Sequence, residues 1–165
     1  MGDSFQLLLN GEEVGSGTLE QFRGTADISY RPGELTAVTY SGGAETGRTS
    51  LVSASGAVKI ELIPDRAEIR ANDSDLSYVE VNMTASNGVV ANTVNPTAKA
   101  TVTGAGILLG FGSSEPKGTE RFRAGEYTAR DGRLLAVIRP TQPGTITLRV
   151  EAPGFETASV EIVAR

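Results

Sequence analysis

The sequence predicts an all-β protein built from two small antiparallel β-sandwich domains in tandem. Apolar and polar residues alternate with a period of two along most of the chain, as in strands that bury one face. Turn-forming residues, among them 20 glycines and 7 prolines, separate these runs at intervals of roughly 8–12 residues, which is typical of sandwiches. The 3.6-residue apolar spacing of an amphipathic helix is missing.

The first predicted domain, residues 1–55, is a small β-sandwich module. Its first strand is expected at residues 5–9. Asn10 and Gly11 follow and suit a type I′ hairpin turn, because both tolerate a positive φ. So short a block is marginal as a self-sufficient fold, so we expect it to lean on its neighbour. Its further strands are expected at 25–30, 34–40 and 46–53.

The second predicted domain, residues 56–165, begins where the alternation restarts after the small residues 53–56. The first block holds 3 basic and 7 acidic residues, which leaves 12 and 13 of the totals of 15 and 20 for the second. Most of the net negative charge therefore lies in the first block. Strands of the second domain are expected at 58–62, 79–85, 98–103, 106–110, 134–139, 144–151 and 158–163.

The composition excludes several classes of function. A net charge of −5 argues against a nucleic-acid partner, since phosphate binding needs clustered lysine and arginine. The chain has no cysteine and no histidine, so a thiolate metal site and a Ser-His-Asp triad are both impossible. We expect no cofactor and no metal. No apolar run approaches the roughly 20 residues that span a bilayer, so we expect no membrane partner.

Two groups of residues could carry chemistry, and each has a plainer interpretation. Glu115 and Glu120 form a carboxylate pair in a Gly/Pro-rich loop, and glycoside hydrolysis needs two carboxylates. Loop glutamates without aromatic walls are usually solvated, so we interpret the pair as solvated carboxylates without a catalytic role. The acidic turn 72–75 lacks the glycine and the distal glutamate of a helix-loop-helix calcium site. We therefore interpret it as a surface turn.

The loop at residues 110–127 is where we expect a functional contact. Its glycines and proline let the backbone project from the end of a sandwich, where recognition loops lie. Aromatic side chains there stand among arginines, a combination that could stack on a sugar or dock a neighbouring domain, although a polar strand face is the plainer interpretation. The candidate binding residues are Phe111, Glu115, Glu120, Phe122, Tyr127 and Arg130.

Several segments resemble bacterial β-galactosidases of glycoside hydrolase family two. Residues 5–15 resemble the "VELFLNGKSLG" stretch that follows the catalytic barrel in those enzymes, and residues 30–40 are similar to "YEPGELKAVAYDNG". In the next domain, residues 60–69 resemble "IELSPDRTEI" and residues 75–81 resemble "DLSFVTV". The match covers essentially the whole chain in the family's order. It implies that the first module is truncated at its N-terminus.

The resemblance implies a non-catalytic pair of C-terminal domains, which are small immunoglobulin-like β-sandwiches in tandem. The parent enzyme would hydrolyse β-galactosides or related β-glycosides with two glutamates of an upstream barrel, and neither the barrel nor those glutamates are in this chain. The implied partner is that barrel in the same polypeptide, with an oligosaccharide as a second candidate. A bacterial secreted or cell-associated location is favoured over a cytoplasmic one.

Two other functions stay open on the sequence. One is an autonomous carbohydrate-binding module, which the absence of tryptophan and an aromatic content of 5% weaken. The other is an immunoglobulin-like spacer of a bacterial adhesin, against which the family-like first block argues.

Overall fold

The computed structural model describes residues 2–72 and 74–165. Within them the protein has thirteen strands and no helix, so the predicted all-β class is confirmed. The chain divides into two compact units, Met1–Ser53 and Ala54–Arg165. That these are the separate domains 1–55 and 56–165 stays a prediction. No helix in the described residues is long and apolar enough to cross a membrane.

The first unit contains one antiparallel sheet, in the order β2-β1-β3-β4. Three of its four strands correspond to the predicted runs 5–9, 34–40 and 46–53, and β2 was implied only by the predicted hairpin turn. The buried residues of this sheet are Phe5 and Leu9 in β1 and Thr36 and Val38 in β3, and every residue of β4 is exposed. The strands are β1 (Ser4–Leu9), β2 (Glu12–Thr18), β3 (Glu34–Ser41) and β4 (Ala44–Val52).

The turn between β1 and β2 has the predicted geometry. Asn10 and Gly11 have φ angles of 53° and 87°, which are the two positive values that a type I′ turn requires. The Asn10 side chain also accepts a hydrogen bond from the backbone N–H of Glu34 at 2.9 Å. The turn therefore both joins the hairpin and anchors the start of β3.

The strand expected at residues 25–30 is not formed. This segment has no ladder partner in the structure, although its Ala26 and Ile28 side chains pack over Gly15 of β2. Alternation predicts that a segment packs one face on a core, but a strand also needs a hydrogen-bonded neighbour. A loop segment therefore covers this face of the sheet. In a sandwich, a second sheet would cover it.

The second unit contains nine strands, seven of which correspond to the predicted runs. The two that the sequence did not predict, β6 and β10, have two and three residues, too few to show a period. The strands are β5 (Val58–Pro64), β6 (Glu68–Ile69), β7 (Ser77–Ala85), β8 (Thr97–Gly104), β9 (Gly106–Gly112), β10 (Glu126–Thr128), β11 (Arg133–Pro140), β12 (Gly144–Glu151) and β13 (Ala158–Ala164).

These strands form two sheets with a common core. One has the order β10-β8-β12-β13-β6 and the other the order β5-β7-β11-β9, and all pairs are antiparallel except β13 with β6. Burying each large inward side chain contributes roughly 1.5–3 kcal/mol to stability. The largest fully buried side chains are Tyr127, Phe111, Met83, Ile138, Ile146, Leu148, Ile162, Val79, Val81 and Val150.

The segment 113–125 connects β9, an edge strand of one sheet, to β10, an edge strand of the other. It therefore crosses between the two sheets on one side of this unit. Most of the predicted contact loop lies in this crossing.

Candidate functional site

The three aromatic residues of the predicted site have different environments. Phe111 and Tyr127 are each 1% exposed and belong to the core, whereas Phe122 is 57% exposed. Strand alternation explains this, because Phe111 pairs with the buried Ala136 across β9 and β11 and shares its inward face. Exposed apolar area was predicted for all three residues, but only the Phe122 ring is exposed.

The Phe122 ring is held by its neighbours. It stacks on the Tyr127 ring with centroids 5.1 Å apart and planes inclined by 9°. The Phe111 N–H donates to the Phe122 carbonyl at 2.7 Å. A Cβ on Gly112 would lie 2.2 Å from the ring, so the missing side chain there lets Phe122 approach the strand.

The two predicted carboxylates, Glu115 and Glu120, hold the crossing segment in place. Glu115 forms an ion pair with Arg130 and accepts a hydrogen bond from the Lys117 N–H at 3.1 Å. Glu120 accepts two hydrogen bonds from Thr128, from its N–H at 2.9 Å and from its hydroxyl at 3.0 Å. Each carboxylate thus links the crossing segment to β10 or to the residues after it. The sequence predicted solvated carboxylates, and these contacts show that the pair also has a structural role.

Among the predicted binding residues, the structure therefore joins Glu115 with Arg130 and Phe122 with Tyr127. Glu120 is held by β10 instead. As ligand contacts, all six residues remain a prediction.

A surface depression of about 560 Å³ lies beside Phe122, on the outward side of β7, β9 and β11. Asn82 is 5% exposed and lines it, and its Nδ2 donates to the Glu80 carboxylate at 3.3 Å. Asn82 and Glu80 are not among the site residues predicted from the sequence. The available signal was the apolar Leu135 and Val137 at outward positions of β11, where alternation predicts polar side chains.

The described residues of the acidic segment 72–75 form a turn. The Asn72 side-chain oxygen accepts hydrogen bonds from the N–H groups of Ser74 and Asp75 at 2.9 and 2.7 Å. Asp73 lies outside the described residues. Elsewhere in the described chain, no three acidic side chains come together as a metal site would require.

Asp75 carries the clearest electrostatic perturbation near this turn. A hydrogen bond from the Arg70 N–H and the Arg66 guanidinium, each at 2.8 Å, hold its pKa below the ordinary value for an aspartate. Both favour the charged form. Asp75 therefore joins the turn to the segment around β6.

Comparison with known protein families identifies the family to which this chain belongs. Residues 60–161 match the model of glycoside hydrolase family 2 C-terminal domain 5. The chain belongs to this family. Residues 1–47, ahead of the C-terminal domain 5 region, match a domain of unknown function, DUF4982.

The relatives of this chain are much longer proteins. The β-galactosidase BoGH2A of Bacteroides ovatus is 26% identical over 98% of this chain, which corresponds to 19% of that enzyme. A glycosyl hydrolase family 2 member from Bacteroides cellulosilyticus is 29% identical, with a TM-score of 0.91, over 98% of this chain and 23% of its own. The chain thus spans about a fifth of the length of these relatives.

The same fold occurs at lower identity. A β-glycosidase from Bacteroides vulgatus has a TM-score of 0.81 at 18% identity, over 99% of this chain and 21% of its own. At this identity the similarity shows the fold alone.

Proposed function

We propose that this chain is a non-catalytic accessory region of a β-galactosidase-like glycoside hydrolase. In this proposal it supports the catalytic barrel of the same polypeptide or shapes the entrance through which the substrate reaches it. The observation that carries the proposal is the alignment of 98% of this chain with about a fifth of two family 2 enzymes.

The geometry of the predicted carboxylate pair supports the non-catalytic part of the proposal. A retaining or inverting glycosidase needs one carboxyl group free to donate a proton and a second free to act as nucleophile or base. Glu115 is paired with Arg130, and Glu120 accepts two hydrogen bonds from Thr128. Neither group is held as the free acid or nucleophile that such a pair would need.

The crossing segment supports the accessory part. Its carboxylates and the Phe122–Tyr127 stack hold one exposed aromatic ring at a defined position on the surface. A fixed aromatic ring is suited to contact a neighbouring protein surface or a sugar ring, since little side-chain entropy is lost on contact. We assign this segment to the side of the unit that faces the barrel or the substrate entrance.

A domain replacement tests the proposal. The matching fifth of the B. ovatus β-galactosidase is replaced by this chain, and a second variant has that fifth deleted. We expect the replacement to retain soluble expression and turnover of a nitrophenyl β-galactoside, and the deletion to lose both. The chain alone is expected to show no turnover above the blank, because it supplies no barrel carboxylates.

Two outcomes would overturn the proposal. One is reproducible turnover by the chain alone that Glu115→Gln or Glu120→Gln abolishes. The other is a deletion variant that is as soluble, stable and active as the intact enzyme.

A further inference from the structure

The second unit presents two outer sheet faces of different character. On the sheet that contains β8, β12 and β13, the outward side chains are almost all polar, as expected for a face in water. Strand pairing places them side by side across the sheet. They are Thr97, Lys99, Thr101, Thr103, Thr145, Thr147, Arg149, Glu151, Ser159 and Glu161, together with the apolar Val163.

The outward face of the sheet β5-β7-β11-β9 carries large exposed apolar side chains among charged ones. Ile63, Tyr78, Ile107 and Leu135 are 45%, 41%, 40% and 41% exposed, and they come from all four strands. Together with Phe122 and Val137 they form what we call the outer apolar face. Large exposed side chains that gather on one face mark an interaction surface, whereas isolated ones need no explanation.

Unpaired polar atoms lie on the same face. The Asn82 Nδ2 faces the Glu80 carboxylate, which accepts but cannot donate, so the amide oxygen is the atom without a partner. Among the described residues that buried oxygen has no hydrogen-bond partner, and the same holds for the Ser113 hydroxyl and the Arg139 Nε. Buried polar atoms are normally paired, so this face has hydrogen-bonding capacity that the described residues do not use.

The depression beside Phe122 lies in this face and has a mostly apolar wall. Its volume of about 560 Å³ is within the usual range for a pocket that receives a small group. Leu135 and Val137 line it, and Asn82 and Ser113 lie at its surface with their unpaired oxygens buried. An apolar side chain of a partner, with a hydrogen-bond donor beside it, would match this lining. The Asn82 side chain would have to turn so that its oxygen meets the donor.

The charges on the face favour a protein as the occupant. Lys59, Arg133 and Arg139 alternate with Glu61 and Glu80 on the outward positions, so neither sign dominates. A nucleic acid or an anionic membrane would call for a basic surface. A single sugar would cover only the depression and leave Ile63 and Tyr78 in water.

We propose that the outer apolar face is the surface on which the larger part of a glycoside hydrolase family 2 polypeptide docks. An apolar side chain of that part enters the depression, and a neighbouring donor pairs with Asn82. This proposal rests on the proposed function, since it takes the partner from the four-fifths of each relative that this chain does not match.

Cysteine labelling tests the face directly, because the chain has no cysteine of its own. Leu135→Cys places a thiol on the outer apolar face, and Thr101→Cys places the matched control on the polar face of the other sheet. Both variants are made in the free chain and in the chain installed in the B. ovatus β-galactosidase. Maleimide labelling is followed at each site by peptide mass spectrometry.

We expect both thiols to react at similar rates in the free chain. In the installed chain, Leu135→Cys should react at least tenfold more slowly, while Thr101→Cys is unchanged. Equal rates for Leu135→Cys in the two settings would overturn the proposal. Protection of Leu135→Cys that grows with the concentration of the free chain would also overturn it, in favour of a second copy as occupant.

The two proposals fail in different ways. An active replacement enzyme with fast labelling at Leu135→Cys contradicts the docking face and leaves the accessory role standing. If the replacement does not fold, cysteines at the two aligned positions of the B. ovatus enzyme itself give the same comparison. Protection only at the position aligned with Leu135 supports the docking face, and equal labelling there overturns it.

Discussion

The Phe122 ring stacks on the Tyr127 ring at 5.1 Å, and the first is 57% exposed while the second is 1% exposed. A core residue thus serves as the platform for a surface residue. The pair fixes the crossing segment to the sandwich. Its exposed ring, Phe122, belongs both to the loop predicted as the contact site and to the outer apolar face.

Removing the surface ring of this pair should weaken the fold modestly. We expect Phe122→Ala to lower the free energy of unfolding by about 1–2 kcal/mol, from the lost stacking and the lost cover over Tyr127. Phe122→Tyr keeps the ring and should stay within about 0.5 kcal/mol of the parent chain. Urea unfolding monitored by circular dichroism measures both, and equal stability of Phe122→Ala and the parent would count against the stack.

The close approach of Gly104 to Thr145 gives a second prediction. A Cβ on Gly104, at φ 89°, would lie 2.2 Å from the Thr145 carbonyl oxygen, whereas Gly88, at φ 80°, has nothing within 4 Å of that position. Gly88→Ala should therefore cost only about 1–2 kcal/mol for the positive φ. Gly104→Ala should cost clearly more, on the order of 3 kcal/mol or above, because β8 and β12 must separate.

Thermal unfolding of the two alanine variants makes this comparison. The φ angles of the two glycines differ by only 9° (80° and 89°), so the difference between the variants reports mainly the steric contact. Equal melting temperatures would show that the strands around Gly104 give way at little cost.

The lowered pKa of Asp75 predicts a pH dependence. Because the Arg70 N–H and the Arg66 guanidinium favour the charged carboxylate in the folded chain, its contribution to stability is present above the unfolded pKa, near 4. The contribution is lost as the pH falls through the lower, folded pKa. Asp75→Asn should therefore destabilise the chain at pH 7, and its difference from the parent should shrink toward pH 3.

A matched control for this test is Glu156→Gln. Glu156 is exposed and makes no side-chain hydrogen bond or ion pair among the described residues. Its substitution should leave the unfolding curves unchanged at both pH values. A loss of stability for Asp75→Asn that is as large at pH 3 as at pH 7 would contradict the electrostatic origin.

Free sugars should bind weakly. A single exposed ring such as Phe122 contributes about 1–3 kcal/mol, too little for tight binding once association entropy is included. Titration of galactose and lactose into isotopically labelled chain, followed by amide shifts, should show no saturable micromolar binding. Micromolar binding at residues 110–127 would favour a carbohydrate-binding module over the accessory role.

The alternation of the sequence was sufficient to predict the all-β class and most of the strands. It failed for residues 25–30, because alternation reports which side chains pack and says nothing of a hydrogen-bonded neighbour. It also missed β2, which only the predicted hairpin turn implied, and β6 and β10, which are formed only because other strands supply their partners.

The candidate site remains a prediction. Composition indicated a loop at residues 110–127, and the structure places residues 113–125 of it between β9 and β10, but composition could not say which aromatic residue would face inward. That choice depended on the register of β9 with β11 and of β10 with β8.

The sequence by itself determined the fold class, the type I′ turn at Asn10 and Gly11, and the resemblance to a glycoside hydrolase family, since each depends on local residue order. The tertiary structure alone decided that Phe111 and Tyr127 are core residues and that Glu115 pairs with Arg130. It alone brought Ile63, Tyr78, Ile107 and Leu135 onto one face. These residues are far apart in the chain, and only strand pairing and sheet packing bring them together.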